Sequence, residues 1–291
     1  MRVARTQEEL PEARRAVALG TFDGVHRGHR RVLDVARAND GLVSTAVTFW
    51  PHPRIALGNR VELLTSLERR LELLAATELD EALVVEFSLD LARLTPEEFA
   101  ERVLHPIGTE VVVAGSNFRF GRARAGDLDL LARLGFEVRP VELAEGISSS
   151  EIRRLLHAGE VERAAEALGR PAEVEGVVAA GDQRGGTLGY PTANLDVDPA
   201  LLVPAYGIYA GAVGASRAAI SIGTNPHYGG EERRVEAFLL DFDGDLYGQR
   251  LVLELWTRLR DERAFASEAE LVEQIGRDVA AARGALRPTR S

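Results

Sequence analysis

Short apolar runs alternate with helical patterns through residues 15–145, and this alternation limits the folds open to the first half of the chain. Runs typical of strands fall at 16–19, 42–49, 82–87, 110–114 and 136–141. Between them, residues 67–75 have helical spacing, and Thr95 with Pro96 and Glu98 marks a strong helix start. The pattern predicts a doubly wound parallel α/β sheet, in which ligands bind beyond the carboxyl ends of the strands.

The turn between the first predicted strand and its helix has the sequence Gly-Thr-Phe-Asp-Gly-Val-His-Arg-Gly-His, at 20–29. Gly20 and Gly24 allow a tight turn or a close approach of the backbone to a ligand. Gly28 with His29 opens the helix, and the free N–H groups and dipole of a helix N-terminus favour an anion. His26 and His29 are three residues apart, so both imidazoles face one side of the first turn and can donate to phosphate oxygens in a transition state.

Two plainer interpretations of the histidine pair stay open at this point. One is a loop with two surface histidines, although the glycines, the preceding strand and the following helix all favour a phosphate site. The other is a zinc site, because histidines at this spacing can hold zinc. The chain has no cysteine, however, and no third ligand is evident nearby.

Composition favours a two-domain cytoplasmic enzyme. At 291 residues, with 45% hydrophobic and 27% charged residues, the chain has enough apolar material for two cores. Its net charge of −10 gives no general basic character, so we expect no nucleic-acid partner. Residues 1–10 lack the apolar core of a signal peptide and no apolar run reaches membrane length, so we expect no membrane partner. The 35 residues counted as lysine or arginine are all arginine, which leaves phosphate binding to arginine, histidine, backbone N–H groups or a metal.

Two further segments of the first half carry side chains suited to a ligand. Ala-Gly-Ser-Asn-Phe-Arg-Phe-Gly, at 114–121, places two aromatic residues after a strand, as either a wall for a planar ring or ordinary core packing. Ile-Ser-Ser-Ser-Glu-Ile-Arg, at 147–153, places three hydroxyls and an arginine in a first helical turn, where they can bind a polyphosphate. Ser148 and Glu151 have capping-box spacing, so a capped helix is expected in either case.

The pattern changes after a Gly-Arg-Pro stop signal at 169–171, which predicts two domains, 1–170 and 171–291. Strand-type runs of the second domain fall at 174–179, 207–213, 218–223, 235–241 and 251–258. Asp-Gly at 243–244 is typical of a hairpin turn between the last two runs. With a final helix at 267–282, these elements predict a small closed antiparallel β-barrel domain.

The second domain has its own candidate ligand site in Gly-Gly-Thr-Leu-Gly-Tyr-Pro-Thr-Ala-Asn-Leu, at 185–195. Its glycines permit a close backbone approach to phosphates. Thr192 and Asn194 are alternate residues, which point to one side of an extended chain and offer a hydroxyl and an amide oxygen to magnesium. A glycine turn with a capping threonine and asparagine explains the same residues, so that interpretation also stays open.

The segment 20–29 resembles the signature of the nucleotidylyltransferase superfamily, in the form carried by bacterial bifunctional riboflavin kinase/FMN adenylyltransferases (FAD synthetases). Segments 114–121 and 147–153 are similar to further segments of that family, with Ser150 in place of a threonine. Pro51-His52-Pro53 is also family-like, and we expect a supporting role at most for His52. The resemblance implies catalytic roles for His26, His29 and Arg153. It implies ligand-binding roles for Gly20, Phe22, Asp23, Gly28, Asn117, Ser148, Ser149 and Ser150.

The glycine-rich segment of the second domain resembles the hallmark of riboflavin kinase, Gly-x-Pro-Thr-Ala-Asn, and segments 206–211, 221–226 and 241–248 are similar to that family too. From its place in an apolar strand, Glu236 is either an outward solvated residue or a base aimed into a site. The family places its catalytic glutamate at this position, which implies that Glu236 accepts the proton of the ribityl 5′-hydroxyl. Many members have histidine where Phe238 stands. The resemblance further implies magnesium ligands at Thr192 and Asn194 and ligand contacts at Gly185, Gly189, Pro191 and Tyr247.

The resemblance implies a bifunctional enzyme of flavin-cofactor synthesis. It would phosphorylate riboflavin to FMN with ATP and magnesium, and then transfer AMP from a second ATP to FMN, giving FAD and pyrophosphate. Its partners would be these small molecules, and a weak homo-oligomer is left open. Three alternatives are a chain with one live site, a flavin-binding carrier, and another nucleotidylyltransferase, such as one acting on pantetheine phosphate. Separate assays of the two steps decide the first. The second is disfavoured because a carrier would not need the candidate catalytic and metal-binding residues, which are His26, His29, Arg153, Thr192, Asn194 and Glu236. The third does not account for a barrel.

Overall fold

The computed structural model places the chain in two compact units, Met1–Ser149 and Ser150–Ser291. The residues that it describes are 1–142, 146–179, 190–224 and 233–289. Both predicted architectures are confirmed, because the first unit has a Rossmann-like parallel sheet and the second has a closed antiparallel barrel with a final helix.

The strands of the first unit are β1 (Arg2–Ala4), β2 (Arg15–Leu19), β3 (Val43–Trp50), β4 (Glu81–Glu86), β5 (Thr109–Gly115) and β6 (Glu137–Val141). They form a parallel sheet in the order β1-β4-β3-β2-β5-β6. From β2 the chain fills one side of the sheet through β3 and β4 and then moves to β5 on the other side. The carboxyl ends of β2 and β5 therefore form the switch point, where such sheets bind their ligands.

The helices of the first unit are α1 (Arg27–Arg37), α2 (Pro53–Ala56), α3 (Leu67–Ala75), α4 (Leu89–Arg93), α5 (Pro96–Phe99) and α6 (Leu128–Arg133). Alternate residues of β2 enter two different cores. Ala16 and Ala18 pack in the core that contains buried residues of α1 and α3, whereas Val17 and Leu19 pack in the core that contains those of α5 and α6. Because both faces of the sheet are covered, β2 is a continuous apolar run.

The strands of the second unit are β7 (Ala172–Ala179), β8 (Ala193–Asp196), β9 (Gly207–Val213), β10 (Ser216–Thr224), β11 (Arg233–Leu239) and β12 (Arg250–Arg260). They close an antiparallel barrel in the order β10-β11-β8-β7-β12-β9. Along β11, Val235, Ala237 and Leu239 are buried in the barrel, and the residues between them lie on its outer face.

Three described helices accompany the barrel: α7 (Ser149–His157), α8 (Val161–Leu168) and α9 (Glu268–Gly284). α9 packs against β9 and β10, and α8 packs against β7 and β12. The Leu156 carbonyl of α7 accepts a hydrogen bond from the Ala205 N–H at 3.0 Å. Helical residues before 170 thus lie with the barrel in the second compact unit. As a boundary between functional segments, residue 170 stays a prediction.

The hairpin expected at 243–244 is wrong. β11 pairs with β10 and β8, whereas β12 pairs with β7 and β9, so the connection between β11 and β12 does not join neighbouring strands. It turns at Asp241 and Gly248, which both have positive φ. An Asp-Gly pair indicates where a chain can turn, but closure of the barrel decides which strands pair.

Candidate active sites

The turn after β2 is strained along its backbone. Phe22 and Val25 have φ of 50° and 38°, a region that residues other than glycine seldom occupy, and Gly24 between them has φ of 83°. A Cβ atom on Gly24 would lie 2.8 Å from Leu64 Cδ1, so glycine is required there for space as well as conformation. Conformations of this kind persist where surrounding contacts impose them, and they cluster at active sites.

The two histidines of the turn form a stacked pair at the N-terminus of α1. His26 is the N-cap residue, and its Nδ1 accepts a hydrogen bond from the His29 N–H at 3.2 Å. The imidazole centroids are 3.6 Å apart with an interplanar angle of 15°, and the Phe22 ring packs edge-on against His29 at 5.3 Å. A Cβ atom on Gly28 would lie 3.2 Å from the His26 ring, so glycine lets this ring fold back over the helix start. Because Nδ1 of His26 accepts this hydrogen bond, Nε2 is the nitrogen of this ring that can donate to a ligand.

His29 is uncharged near neutral pH. Burial lowers the pKa of His29 well below its usual value, and the positive charges of His26 and Arg70 lower it further. Its Nδ1 is buried and has no hydrogen-bond partner among the described residues. A neutral imidazole still has one N–H group, and beside a helix N-terminus it can donate a hydrogen bond to a phosphate oxygen.

Phe22 and Asp23 support the turn from inside. Both are 1% exposed. The Asp23 carboxylate accepts hydrogen bonds from the backbone N–H groups of Leu64 and Thr65 at 3.1–3.2 Å, and its carbonyl accepts one from Ser149 Oγ at 3.0 Å. Their assignment as ligand-binding residues stays a prediction.

Arg70 belongs to the same site, although no motif points to it. This α3 residue is fully buried, and its Nη2 lies 3.6 Å from Oδ1 of Asp23. One indication does exist in the sequence. Arg70 stands three and four residues before Leu73 and Leu74, which are buried, so it is a charged residue on the apolar face of a helix.

The other residues predicted to bind a ligand near β2 and β5 differ in their burial and their contacts. Gly20 continues the sheet, since its N–H donates to the Val47 carbonyl at 3.1 Å. Asn117 follows β5 at the switch point and is exposed, as a ligand contact requires. Phe118 and Phe120 stack at 6.0 Å and pack against the core, which favours the packing interpretation of these aromatics. His52 is buried and caps α2 by accepting from the Arg54 N–H, a structural role.

The serine-rich segment lies at the start of α7. The helix begins at Ser149, so Ser148 stands directly before it. Ser150 and Arg153 lie in the first turns of α7 and belong to the second compact unit. The predicted contact of these residues with a polyphosphate stays a prediction.

The second candidate site lies on the outer face of the barrel. Glu236 of β11 is directly opposite Asn194 of β8 and Ser221 of β10, so these three side chains share one face of the sheet. Glu236 is half-buried, and its Oε2 lies 3.4 Å from the hydroxyl of Thr192. A carboxylate, a hydroxyl and an amide oxygen are therefore gathered on neighbouring strands.

Aromatic side chains adjoin this polar row. The rings of Tyr190 and Phe238 pack edge-on with centroids 5.3 Å apart. Pro191 and Tyr247 are exposed. Gly185 and Gly189 lie outside the described residues, so the predicted glycine-rich phosphate contact is not placed.

Within the described ranges, no three histidine, aspartate or glutamate side chains gather in a group able to hold a metal ion. The zinc interpretation of His26 and His29 has no third ligand in that part of the chain. No helix of the described residues is long and apolar enough to cross a bilayer.

Two family models match the chain, one described as FAD synthetase over residues 9–151 and one as riboflavin kinase over residues 168–286. The bifunctional riboflavin kinase/FMN adenylyltransferase of Listeria monocytogenes is 34% identical over 293 residues, covering 94% of this chain and 93% of the relative. The chain belongs to the family of bifunctional riboflavin kinase/FMN adenylyltransferases. The predicted function, conversion of riboflavin to FMN and of FMN to FAD with ATP, is thereby confirmed at the level of the family.

Further comparisons agree with this membership. The bifunctional enzyme of Escherichia coli (strain K12) is 33% identical and covers 94% of each chain. A solved structure from Streptococcus pneumoniae, described as a macrolide-efflux protein, has a TM-score of 0.87 and 31% identity and covers 97% of this chain and 98% of its own. A nucleotidylyltransferase for pantetheine phosphate would leave the riboflavin kinase match at 168–286 unexplained.

Proposed function

We infer that the two units divide the two reactions between them. The α/β unit would transfer AMP from ATP to the phosphate of FMN, and the barrel would transfer a phosphoryl group from ATP to riboflavin. The separate matches support this division, because the FAD synthetase model ends at 151 and the riboflavin kinase model begins at 168. Both steps are phosphorus transfers, which depend mainly on positioning and on stabilisation of charge.

The stacked imidazoles of His26 and His29 carry the proposal for the first unit. In adenylyl transfer, an FMN phosphate oxygen attacks the α-phosphorus of ATP, and the bond to the departing pyrophosphate breaks. Negative charge grows on the oxygens around that bond, where preorganised N–H donors act most strongly. The imidazole N–H groups of His26 and His29, at the N-terminus of α1, can supply such donors. The resemblance of segment 147–153 supports a separate proposal, that Ser148, Ser149, Ser150 and Arg153 bind a polyphosphate.

The carboxylate of Glu236 carries the proposal for the barrel. It would take the proton of the ribityl 5′-hydroxyl as that oxygen attacks the γ-phosphorus and ADP departs. The hydroxyl of Thr192 and the amide oxygen of Asn194 suit magnesium, which prefers oxygen ligands and keeps several of its waters. Magnesium would neutralise charge on the phosphates of ATP, with which it arrives.

A Glu236→Gln variant tests the barrel assignment. Glutamine keeps the shape of the side chain but cannot accept the proton, so phosphorylation of riboflavin should fall by about 10²- to 10⁴-fold. FMN supplied from outside should still become FAD at the wild-type rate. Asp196→Asn, which changes an exposed carboxylate of β8, is the matched control and should alter neither step. Equal losses of riboflavin phosphorylation and of FAD formation from FMN would show that Glu236 is a structural residue. No loss of either activity would show that it is a solvated residue without a role in the reaction.

We expect the enzyme to work in the cytoplasm on small molecules alone. Both reactions consume ATP, which the cytoplasm supplies, and the net charge of −10 disfavours binding to nucleic acid. Fractionation of the source cells, followed by assay of FAD formation, tests this expectation. Activity recovered with the membranes would contradict it.

A further inference from the structure

Arg70 joins three segments at the carboxyl edge of the parallel sheet. From α3 its Nη2 lies 3.6 Å from the Asp23 carboxylate in the turn after β2. Its Nη1 donates to the Phe49 carbonyl at 3.4 Å, near the end of β3. Its guanidinium also lies over the ring of Trp50, 5.4 Å from the ring centroid. One buried side chain therefore connects the turn after β2 with the end of β3.

Asp23 connects Arg70 with the strained turn. Its carboxylate, 1% exposed, binds both the guanidinium of Arg70 and the backbone N–H groups of Leu64 and Thr65. The Thr65 hydroxyl also accepts from the Gly24 N–H at 3.2 Å, within the turn itself. The segment that leads into α3 is therefore held against the turn by hydrogen bonds in both directions. Its backbone donates to Asp23, and the Thr65 hydroxyl accepts from Gly24.

We propose that Arg70 is a positioning residue of the adenylyl-transfer site, which acts through Asp23 to hold the turn that presents His26 and His29. The inference rests on the role proposed above for these histidines. Arg70 itself would contact no substrate, because its side chain is fully buried. Its effect would be to fix the direction of two imidazoles toward the reacting phosphates.

Strain in the turn explains why such a residue is needed. The positive φ of Phe22 and Val25 is unfavourable for these side chains, so the turn keeps its shape only while other contacts impose it. Arginine suits this task because its planar fork can bind a carboxylate and a carbonyl at the same time, whereas lysine offers a single point charge. Without the fork the turn would relax, and a displacement of about 1 Å at a catalytic group can cost about 10²-fold in rate.

The test measures FAD formation from FMN in Arg70→Met, Arg70→Lys, Asp23→Asn and the double variant of Arg70→Met with Asp23→Asn. We expect kcat of Arg70→Met to fall by about 10²-fold while KM changes little, because the loss arises in the transition state. Arg70→Lys keeps the charge and should recover part of the rate. The double variant should lose no more than the worse single variant, since both act through one contact.

Two controls accompany these variants. Arg37→Met changes an exposed arginine in the last turn of α1, which pairs with Glu78 at 2.7 Å, and should keep the wild-type rate. Phosphorylation of riboflavin in the same samples should be unchanged in every variant. If Arg70→Met does not fold, Arg70→Lys and Asp23→Asn test the positioning role instead. A lower kcat with little change in KM in both variants would support it, and an unchanged kcat in both would refute it.

Several results would overturn the proposal. If the double variant loses the product of the two single losses, Arg70 does not act through Asp23. If kcat stays at the wild-type value while the unfolding temperature falls, Arg70 is only a stabilising residue. His29→Ala separates the two levels of inference. If His29→Ala forms FAD at the wild-type rate, the role of the histidines is refuted. If His29→Ala loses FAD formation while the Arg70 variants keep it, only the positioning role of Arg70 is refuted.

Discussion

Replacing His29 with alanine tests the chemistry proposed for the first unit. The change removes a neutral imidazole that stacks on His26 at 3.6 Å and leaves the other ring in place. Loss of one preorganised donor to a developing charge typically costs about 2.7–4 kcal/mol of barrier, or roughly 10²- to 10³-fold in rate. We therefore expect FAD formation from FMN to fall by that factor.

The structure indicates that this variant will fold. The cap of α1 uses the backbone N–H of His29, which alanine keeps, and alanine has the highest helix propensity. The ring contacts with Phe22 and His26 are lost, at about 0.5–1.5 kcal/mol each. Alanine also removes a buried Nδ1 that has no hydrogen-bond partner in the described part of the chain, which offsets part of that loss.

The assay follows FAD by chromatography, with FMN and ATP as substrates and with phosphorylation of riboflavin as an internal control. His105→Ala is a matched variant, because His105 also stacks on a ring, that of Phe136 at 4.6 Å, but away from the turn. It should keep the wild-type rate. A His29→Ala enzyme that forms FAD as fast as the wild type, or one that loses both reactions equally, would refute the proposed role.

Three further outcomes follow from the structure. Thr192→Val should raise the magnesium concentration for half-maximal phosphorylation of riboflavin about tenfold to 100-fold, because a contact with a charged group contributes about 1.5–3 kcal/mol. Since the folded-state pKa of His29 is lowered, protonation favours the unfolded chain, and stability should fall as the pH drops from 7 through the usual value of histidine. His29 should contribute at most about 1.4 kcal/mol per pH unit to the slope of the free energy of unfolding against pH, and His29→Ala should remove this contribution. Gly24→Ala should destabilise the first unit by more than about 1 kcal/mol, because its φ is 83° and its Cβ would meet Leu64.

Each of these outcomes has a measurement that can contradict it. Magnesium titration of the kinase step would show an unchanged midpoint if Thr192 is not a ligand. Free energies of unfolding can be measured with urea between pH 7.5 and 5.5. If His29 is not buried as described, they would change with pH by the same amount in the wild type and in His29→Ala. Thermal unfolding of Gly24→Ala would match the wild type if the turn can adjust.

Local sequence patterns predicted the sheet, the barrel and the position of the histidine turn. They succeed at 20–29 because a strand, two glycines and a helix start all agree there. They fail at 243–244, where Asp-Gly indicates a turn but strand pairing depends on barrel closure. They also do not predict β8, since a strand of four residues carries too little alternation to stand out.

The network around Asp23 shows a second limit. Motif resemblance implies a ligand-binding role for Asp23, which stays a prediction, but it does not reveal that the carboxylate is buried against Thr65 and Arg70. These partners lie more than forty positions along the chain, and only the folded sheet brings them together. A charged residue on the apolar face of α3 was the available indication, but it does not reveal which carboxylate it meets.

Complementation between two damaged enzymes tests most directly the claim that one chain holds two separate sites. His29→Ala and Glu236→Gln are each incubated with riboflavin, ATP and magnesium, first alone and then mixed, and FMN and FAD are measured. We expect His29→Ala alone to accumulate FMN, Glu236→Gln alone to form little of either product, and the mixture to form FAD, because released FMN reaches the intact adenylyl-transfer site of the other variant. A mixture that forms no more FAD than the separate variants would contradict two independent sites.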